Sequence, residues 1–214
     1  MTRVTSLSGI YAVVDQDALA DPVALADAAV RAGVGIVQYR AKSGVVPGVA
    51  RALRELTLRA NAVFIVNDDW RAALRYDADG VHLGPGDPGF DDVPQLRVVL
   101  GNRIVGLSCG TVEEARTAGE GGADYAGVGP VFTTASKPDA GAPLGLAGLA
   151  EIAAATTIPV AAIGGIGLSS VPGVRATGVA MAAVISALAA AADPRSAAGE
   201  LVAAWNARAV EARR

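Results

Sequence analysis

The chain has 214 residues with a formal net charge of −3, and 52% of its residues are hydrophobic although only 4% are aromatic. Its single Cys and single His exclude an internal disulfide bond and a Cys/His zinc site. The acidic balance and the scarcity of aromatic side chains argue against nucleic acid as a partner. We recognise neither a targeting signal nor an apolar run that could span a bilayer, and therefore expect a cytoplasmic protein with no membrane partner.

Eight short runs of β-branched and other apolar residues predict the strands of the fold. Several of these runs lack polar alternation, which is typical of parallel strands that are buried on both faces. The predicted strands are Ile10–Val14, Ile36–Arg40, Val63–Asn67, Gly80–Leu83, Ile104–Ser108, Tyr125–Val128, Val160–Ile163 and Met181–Ile185.

Ala- and Leu-rich stretches between these strands carry signals that are typical of helix ends. Asp21-Pro22 has the pattern of an N-cap residue followed by Pro at the first helical position. Thr111 and Glu114 have the spacing of a capping box, in which the two residues cap the same helix reciprocally. A helix is therefore expected between successive strands.

Eight strand–helix units predict an α/β fold, a closed (β/α)₈ or TIM barrel, in a single domain that spans residues 1–214. An open doubly wound sheet is the alternative architecture. No point in the pattern indicates the reversal of strand order that such a sheet requires, and no linker marks a domain boundary. The loop Gly129–Leu144 is unusually long for such a domain, and loops of this kind are often functional.

Polar and charged residues follow the second, third and fourth predicted strands. Active sites of these barrels lie at the C-terminal ends of the strands, where these side chains are expected to be neighbours. Two carboxylates beside two cations can hold Mg²⁺ on a phosphorylated ligand, while the cations neutralise its remaining oxygens. Structural salt bridges at the barrel rim are the alternative. The residues are Arg40, Lys42, Asn67, Asp68 and Asp87.

A second candidate subsite follows the seventh and eighth strands. Gly164-Gly165 and Ser186 stand where barrels often bind phosphate through backbone N–H groups, although a plain turn also uses Gly. Lys137, in the long loop, is either placed to reach both subsites or simply solvated. Two anionic subsites predict two phosphorylated small-molecule substrates, or one large bisphosphorylated substrate. A metal–pyrophosphate site beside a monophosphate site indicates a transfer reaction in which pyrophosphate leaves.

Together, the motifs at the strand ends resemble those of the thiamine phosphate synthase family. The likeness runs through most of the chain, and each motif is weak by itself, but their order and spacing are specific. They are QYRAK at Gln38–Lys42, VNDDWRAAL at Val66–Leu74, DGVHLGPGD at Asp79–Asp87, Gly106–Ser108, GPVFTTASK at Gly129–Lys137, IGGI at Ile163–Ile166 and Val184–Ser186.

The resemblance implies an alkyl-group transferase of the TIM-barrel class. This enzyme would join an aminopyrimidine methyl diphosphate to a thiazole ethyl phosphate, or to its carboxylated form, giving thiamine phosphate and pyrophosphate. The implied mechanism is dissociative, since pyrophosphate leaves before the thiazole nitrogen attacks.

The resemblance also implies roles for individual residues. Asp68 and Asp87 would bind the cofactor Mg²⁺. The implied catalytic residues are Arg40 and Lys42, which stabilise the leaving group, Lys137, which assists it, and Ser108, which orients the substrate. The substrate-binding residues that it implies are Gln38, Tyr39, Arg40, Ala41, Lys42, Asn67, Ser108 and Lys137 for the pyrimidine diphosphate and Thr134, Ala135, Ser136, Gly165, Ile185 and Ser186 for the thiazole phosphate.

Three positions depart from the usual pattern of the family, namely Asp69, Gly110 and Thr133. His82 is expected to be a hydrogen-bonded barrel residue rather than a catalytic base. Cys109 is expected to pack near the end of its strand rather than to act as a nucleophile, because no base for it can be identified.

Two other functions remain open at this level. One is a thiazole tautomerase-like isomerase, which would lack the metal pair, and the other is a regulator that binds a thiamine precursor without catalysis. An apolar outer face of the barrel would allow a homo-oligomer, but the sequence does not identify that face.

Overall fold

A computed structural model of the chain describes residues 7–134 and 141–207. Strands and helices alternate along these two segments. The strands are β1 Gly9–Asp15, β2 Ile36–Arg40, β3 Val63–Asn67, β4 Gly80–Leu83, β5 Ile104–Cys109, β6 Tyr125–Val128, β7 Val160–Ile163 and β8 Met181–Val184. The helices are α1 Pro22–Arg31, α2 Pro47–Ala60, α3 Trp70–Arg75, α4 Val93–Leu100, α5 Val112–Glu120, α6 Gly145–Ala155, α7 Val171–Ala176, α8 Ser186–Ala189 and α9 Pro194–Asn206.

The strands form a closed parallel barrel in sequence order, with β8 paired to β1. The predicted TIM barrel is therefore confirmed. The predicted bounds are confirmed for β2, β3, β4, β6 and β7. β1 is one residue longer at each end, and β5 continues to Cys109. β8 ends at Val184, one residue before the predicted end, because the backbone of Ile185 (φ −119°, ψ −79°) leaves the extended region and forms the N-cap of α8.

Side chains alternate between two hydrophobic clusters along each strand. One cluster fills the barrel interior and includes Tyr11, Ile65 and Tyr125. The other lies between the barrel and the helices and includes Val37 and Phe64. This alternation follows from the period of two in a β-strand, and it decides which residues of a motif can reach the barrel interior.

The helix ends follow the signals in the sequence. Asp21 Oδ1 accepts a hydrogen bond from Val23 N at 2.8 Å, and Pro22 is the first residue of α1. Thr111 and Glu114 form the predicted capping box at the start of α5, with 3.2 Å for each of its two hydrogen bonds. None of the helices in the described segments combines the length and the apolarity that a bilayer crossing needs.

Gly106 makes room for Tyr125 inside the barrel. A Cβ at position 106 would lie 2.1 Å from Tyr125 Cζ. We predict that Gly106→Ala lowers the free energy of unfolding by about 1–3 kcal/mol, because the buried ring of Tyr125 cannot move aside without strain. Urea denaturation monitored by circular dichroism measures the change.

Gly199, within α9, provides the matched control, because a Cβ there meets no heavy atom within 4 Å. Gly199→Ala should raise the free energy of unfolding by about 0.5–1 kcal/mol, since Ala loses less conformational entropy in a helix. An unchanged midpoint for Gly106→Ala would contradict the packing argument.

Candidate active site

The barrel opens into a cavity of about 450 Å³ at the end where its strands finish. Each of the eight strands contributes at least one residue to the wall, and the loops that follow the strands contribute the remainder. The predicted residues that line it are Gln38, Arg40, Lys42, Asn67, Asp68, Asp87, Ser108, Thr134, Gly165, Ile185 and Ser186.

Two of the predicted substrate-binding residues, Tyr39 and Ala41, do not line the cavity. The side chain of Tyr39 lies in the outer cluster, where its hydroxyl donates to Gln16 Oε1 at 2.5 Å, and Ala41 packs against the same cluster. Because Gln38 and Arg40 face the cavity, the intervening Tyr39 must face the helices. Motif membership alone did not distinguish the two faces of β2. The remaining predicted residues, Ala135, Ser136 and Lys137, lie outside the described residues.

The backbone conformation of Asp68 places this residue in the cavity wall. β3 ends at Asn67, and Asp68 adopts a left-handed conformation (φ 66°) that Asp tolerates better than most residues. Its N–H donates to His82 O at 2.8 Å, so that β4 supports the turn. The next residue, Asp69, caps α3 by accepting from Ala72 N at 2.9 Å. This departure from the family pattern therefore has a local structural role.

Asp87 faces Asp68 from the turn that follows β4. Gly84 N donates to Asp87 Oδ2 at 2.7 Å, which fixes the orientation of the carboxyl group. Burial raises the pKa of Asp87, and the hydrogen bond to Asp68 and the charge of Asp68 raise it further, although Gly84 N–H and Lys42 oppose the shift. Two carboxyl groups are thus held at close range in a partly buried place.

This carboxylate pair has the donor chemistry of a divalent cation site. Its oxygens are hard ligands, and a cation between them would relieve their repulsion. In the part of the chain that the structure describes, no group of three or more His, Cys, Asp or Glu residues forms a metal site. A cation held by Asp68 and Asp87 would therefore take its other ligands from substrate oxygens and water, which is usual for Mg²⁺.

The two basic side chains predicted for the site, Arg40 and Lys42, each contact a carboxylate. Lys42 Nζ lies 2.5 Å from Asp68 Oδ2, and Arg40 Nη1 donates to Asp15 Oδ2. Asp15 ends β1 directly beside Arg40 in the β1–β2 register, so the ion pair is built into the sheet. Asp15 is not among the site residues predicted from the sequence, although its position at the end of a strand was a usable signal. Arg40 has further N–H groups with which it can bind an anion.

The opposite wall is formed by the turn after β7. Gly164 and Gly165 have positive φ values of 101° and 66°. A Cβ at Gly164 would lie 2.7 Å from Pro130 Cα, and one at Gly165 would lie 2.6 Å from Thr133 O. The two glycines are therefore required by the close approach of the loop after β6, whatever the turn binds. Ser186 follows from β8 and completes this wall.

The floor of the cavity carries a hydrogen-bonded set of polar side chains. His82 Nδ1 lies 2.9 Å from the Tyr125 hydroxyl, and His82 Nε2 lies 3.0 Å from Ser108 Oγ. Tyr125 also contacts the hydroxyl of Tyr11, and Gln38 Nε2 donates to Tyr11 at 2.7 Å. The prediction of a hydrogen-bonded barrel histidine is confirmed. Burial raises the pKa of Tyr11 and of Tyr125, so both hydroxyls remain protonated.

The fold and this cavity define a TIM-barrel enzyme that acts on small molecules. A family model described as thiamine monophosphate synthase matches residues 10–188. The chain belongs to that family, and the resemblance found in its motifs is confirmed.

Relatives match over most of their length. The chain is 45% identical over 208 residues to the thiamine-phosphate synthase of Anaeromyxobacter dehalogenans, covering 96% of this chain and 91% of that protein. It is 42% identical over 206 residues to the thiamine-phosphate synthase of Archaeoglobus fulgidus, covering 94% and 95%. The predicted enzyme class, a transferase of the thiamine phosphate synthase type, is confirmed by these relatives.

Solved structures share the barrel fold, and one of them supports the family assignment. A thiamine phosphate pyrophosphorylase from Pyrococcus furiosus superposes with a TM-score of 0.83 at 36% identity, covering 93% of this chain and 96% of that one. A 3-hexulose-6-phosphate synthase has a TM-score of 0.69 at 18% identity, covering 92% and 99%. The second likeness concerns the barrel fold alone.

Cys109 is buried and is not poised as a nucleophile. Burial, followed by the charge of Glu114, raises the pKa of its thiol to about 12. At about pH 8 such a thiol is ionised in about one molecule per 10,000. We therefore predict negligible labelling of the native protein by a disulfide reagent, and complete labelling of one thiol per chain in concentrated guanidinium chloride.

The raised pKa of Cys109 also predicts how the stability of the protein changes with pH. Because the folded thiol ionises at a higher pH than an ordinary thiol, its contribution to stability is complete below about pH 9 and decreases above it. Rapid labelling of the native protein at about pH 8 would contradict this description of Cys109.

Proposed function

We propose that the chain catalyses the Mg²⁺-dependent condensation of 4-amino-2-methyl-5-(diphosphooxymethyl)pyrimidine with thiazole ethyl phosphate, giving thiamine phosphate and pyrophosphate. The observation that carries this proposal is the facing pair Asp68 and Asp87 beside Arg40 and Lys42 at the cavity mouth. Membership of the thiamine monophosphate synthase family supports the choice of substrates. The names of the relatives support it as well.

The pyrimidine diphosphate binds on the side of β2, β3 and β4 in this proposal. Asp68 and Asp87 hold Mg²⁺, which when bound neutralises part of the charge on the diphosphate. Lys42 and Arg40 donate to the remaining phosphate oxygens, and Asn67 offers its amide beside them. Asp15 keeps the Arg40 guanidinium at the cavity wall through their ion pair. Because substrate oxygens compete with Asp68 for Lys42, this lysine changes partners when the diphosphate arrives.

The thiazole phosphate binds on the opposite side, along β7 and β8. Gly165, Ile185 and Ser186 line that wall together with Thr134, and this arrangement supports the assignment. The family resemblance adds Ala135 and Ser136. The substrate on this side is either the plain thiazole phosphate or its carboxylated form, and both are compared in the experiment below.

The reaction is dissociative in this proposal. The bond between the methylene carbon and the diphosphate oxygen breaks first, and its electron pair leaves with the pyrophosphate. The electron-rich aminopyrimidine stabilises the resulting cation, which the thiazole nitrogen then captures. Arg40 and Lys42 stabilise the leaving group, Lys137 assists its departure, and Ser108 orients the pyrimidine substrate. Positioning and charge neutralisation provide the catalysis, since the chain contains only one His and one Cys.

Both substrates in this proposal are small phosphorylated molecules. We propose a cytoplasmic location and no nucleic acid partner, in line with the acidic composition. A homo-oligomer stays a prediction.

The activity is tested by incubation of the purified chain with both substrates, with and without Mg²⁺. We expect thiamine phosphate and pyrophosphate in equal amounts, formed only when the metal is present. Parallel reactions with the plain and the carboxylated thiazole phosphate measure the preference between them as a ratio of kcat/KM. Tight binding of thiazole phosphate without any product would refute the synthase proposal and would favour a tautomerase or a regulator.

The metal pair is tested by Asp68→Asn and Asp87→Asn, which keep the side-chain volume and remove one charge each. We expect kcat/KM to fall about 100-fold or more in each variant, with a higher Mg²⁺ concentration required for half-maximal rate. Steady-state kinetics across a Mg²⁺ titration provide both values.

Asp91→Asn is the matched control, because Asp91 is exposed and does not line the cavity. Urea denaturation of all three variants separates loss of the site from loss of the fold. Nearly normal rates in both site variants would mean that the carboxylate pair does not hold the metal.

A further inference from the structure

Five side chains form one continuous hydrogen-bond chain across the floor of the cavity. It begins at Gln38, whose Nε2 donates to the Tyr11 hydroxyl at 2.7 Å. The Tyr11 and Tyr125 hydroxyls are 2.9 Å apart, and the Tyr125 hydroxyl lies 2.9 Å from His82 Nδ1. The chain ends at Ser108, whose Oγ lies 3.0 Å from His82 Nε2. We call this set the floor chain. It links β2, β1, β6, β4 and β5 in that order.

The direction of the floor chain follows from the number of protons available. The amide nitrogen of Gln38 can only donate, so the oxygen of Tyr11 accepts. In the described part of the barrel, the Tyr125 hydroxyl is the neighbour that can take the remaining proton of Tyr11. If Tyr125 donated to Tyr11 instead, Tyr11 would accept twice and its own proton would be buried without an acceptor among the described residues. That arrangement is costly for a side chain that is 2% exposed.

The same count determines the tautomer of His82. Since Tyr125 accepts from Tyr11, its own proton is donated to His82 Nδ1. That nitrogen is therefore unprotonated, and the imidazole proton lies on Nε2, which donates to Ser108 Oγ. The His82 ring stacks on the Tyr125 ring with 5.4 Å between their centroids, and this contact fixes the orientation of both rings. Gly127 lies against the ring, because a Cβ there would be 2.6 Å from His82 Cε1.

We infer that the floor chain is polarised from Gln38 to Ser108, so that it presents Gln38 Oε1 to the cavity as an acceptor and the Ser108 hydroxyl as a donor. Tyr11, Tyr125 and His82 are then positioning residues, which act on the substrate through the two ends. An acceptor at one end suits an exocyclic amino group, and a donor at the other suits a ring nitrogen or a phosphate oxygen.

This pattern matches an aminopyrimidine that carries a diphosphate, and in that respect the inference rests on the proposed function. A pyrimidine with a carbonyl group in place of the amino group would place one hydrogen-bond acceptor against another, the Gln38 oxygen. We therefore assign to the floor chain the discrimination between amino and oxo pyrimidines.

The tautomer is measured directly, because the chain contains a single His. Nitrogen NMR of the full-length protein labelled with ¹⁵N-histidine reports the protonation of each ring nitrogen at neutral pH. We expect a proton on Nε2 and an unprotonated Nδ1 in the wild-type protein. A proton on Nδ1 would overturn the inference whether or not the protein is active.

Tyr125→Phe removes the hydroxyl that donates to His82 and should shift the ring toward a mixture of the two tautomers. Tyr76→Phe is the matched control, since Tyr76 is a buried tyrosine of the outer cluster and should leave the spectrum unchanged. An unchanged spectrum in Tyr125→Phe would show that Tyr125 does not determine the tautomer. Tyr11→Phe, which interrupts the chain one step earlier, provides the same readout if Tyr125→Phe does not fold.

Kinetics test the effect on the substrate. We expect Tyr125→Phe to raise KM for the pyrimidine diphosphate about tenfold and to leave KM for the thiazole phosphate unchanged. In a Ser108→Ala background the same substitution should raise KM for the pyrimidine diphosphate by a smaller factor than it does in the wild-type protein, because the part of its effect that passes through Ser108 is already lost. Fully additive effects, or equal changes in both KM values, would refute a positioning role.

These measurements separate the inference from the proposed function. The Nε2 tautomer without thiamine phosphate synthesis would refute the proposed function and leave the polarised chain intact. Synthesis with the Nδ1 tautomer would refute the inference alone.

Discussion

The pairing of β1 with β8 closes the parallel sheet, and the cavity exists only because of that closure. All eight strands run in the same direction, so their C-terminal ends and the loops that follow them meet around one opening. Asp15 at the end of β1 and Ser186 after β8 are separated by most of the chain, and closure brings both to this end of the barrel. An open sheet with the same strands would leave these residues at opposite edges.

The charges at the opening of the barrel lie in contact with one another. Arg40 is held by Asp15 in the register of the sheet, whereas Lys42 is held by Asp68 near the surface. Asp87 lies beside Asp68, and its pKa is raised first by burial and then by the hydrogen bond to Asp68 and the charge of Asp68. In the proposed function, a cation on the two carboxyl groups and a polyanion on Arg40 and Lys42 would stabilise each other's binding.

The floor of the cavity depends on small residues as much as on polar ones. Gly106 and Gly127 leave the space that Tyr125 and His82 occupy, since a Cβ at either position would overlap a ring. Two of the few aromatic residues and the only His are concentrated in this one place. A composition that is poor in groups for acid–base chemistry is therefore consistent with a site whose floor positions the substrate and whose rim neutralises charge.

The fold class and most strand bounds could be predicted from the amino-acid pattern, because buried parallel strands are continuous apolar runs and their number predicts closure. The same pattern also brought Asp68, Asp87, Arg40 and Lys42 together, since strand ends in a barrel share one face. The direction in which each side chain points depends on the packing of the strands and could not be predicted from the motifs. Tyr39 belongs to the same motif as Gln38 and Arg40 but faces the helices, because neighbours on a strand alternate in direction. The partner of Arg40 and the continuity of the floor chain were likewise decided by register between strands, which no single stretch of sequence contains.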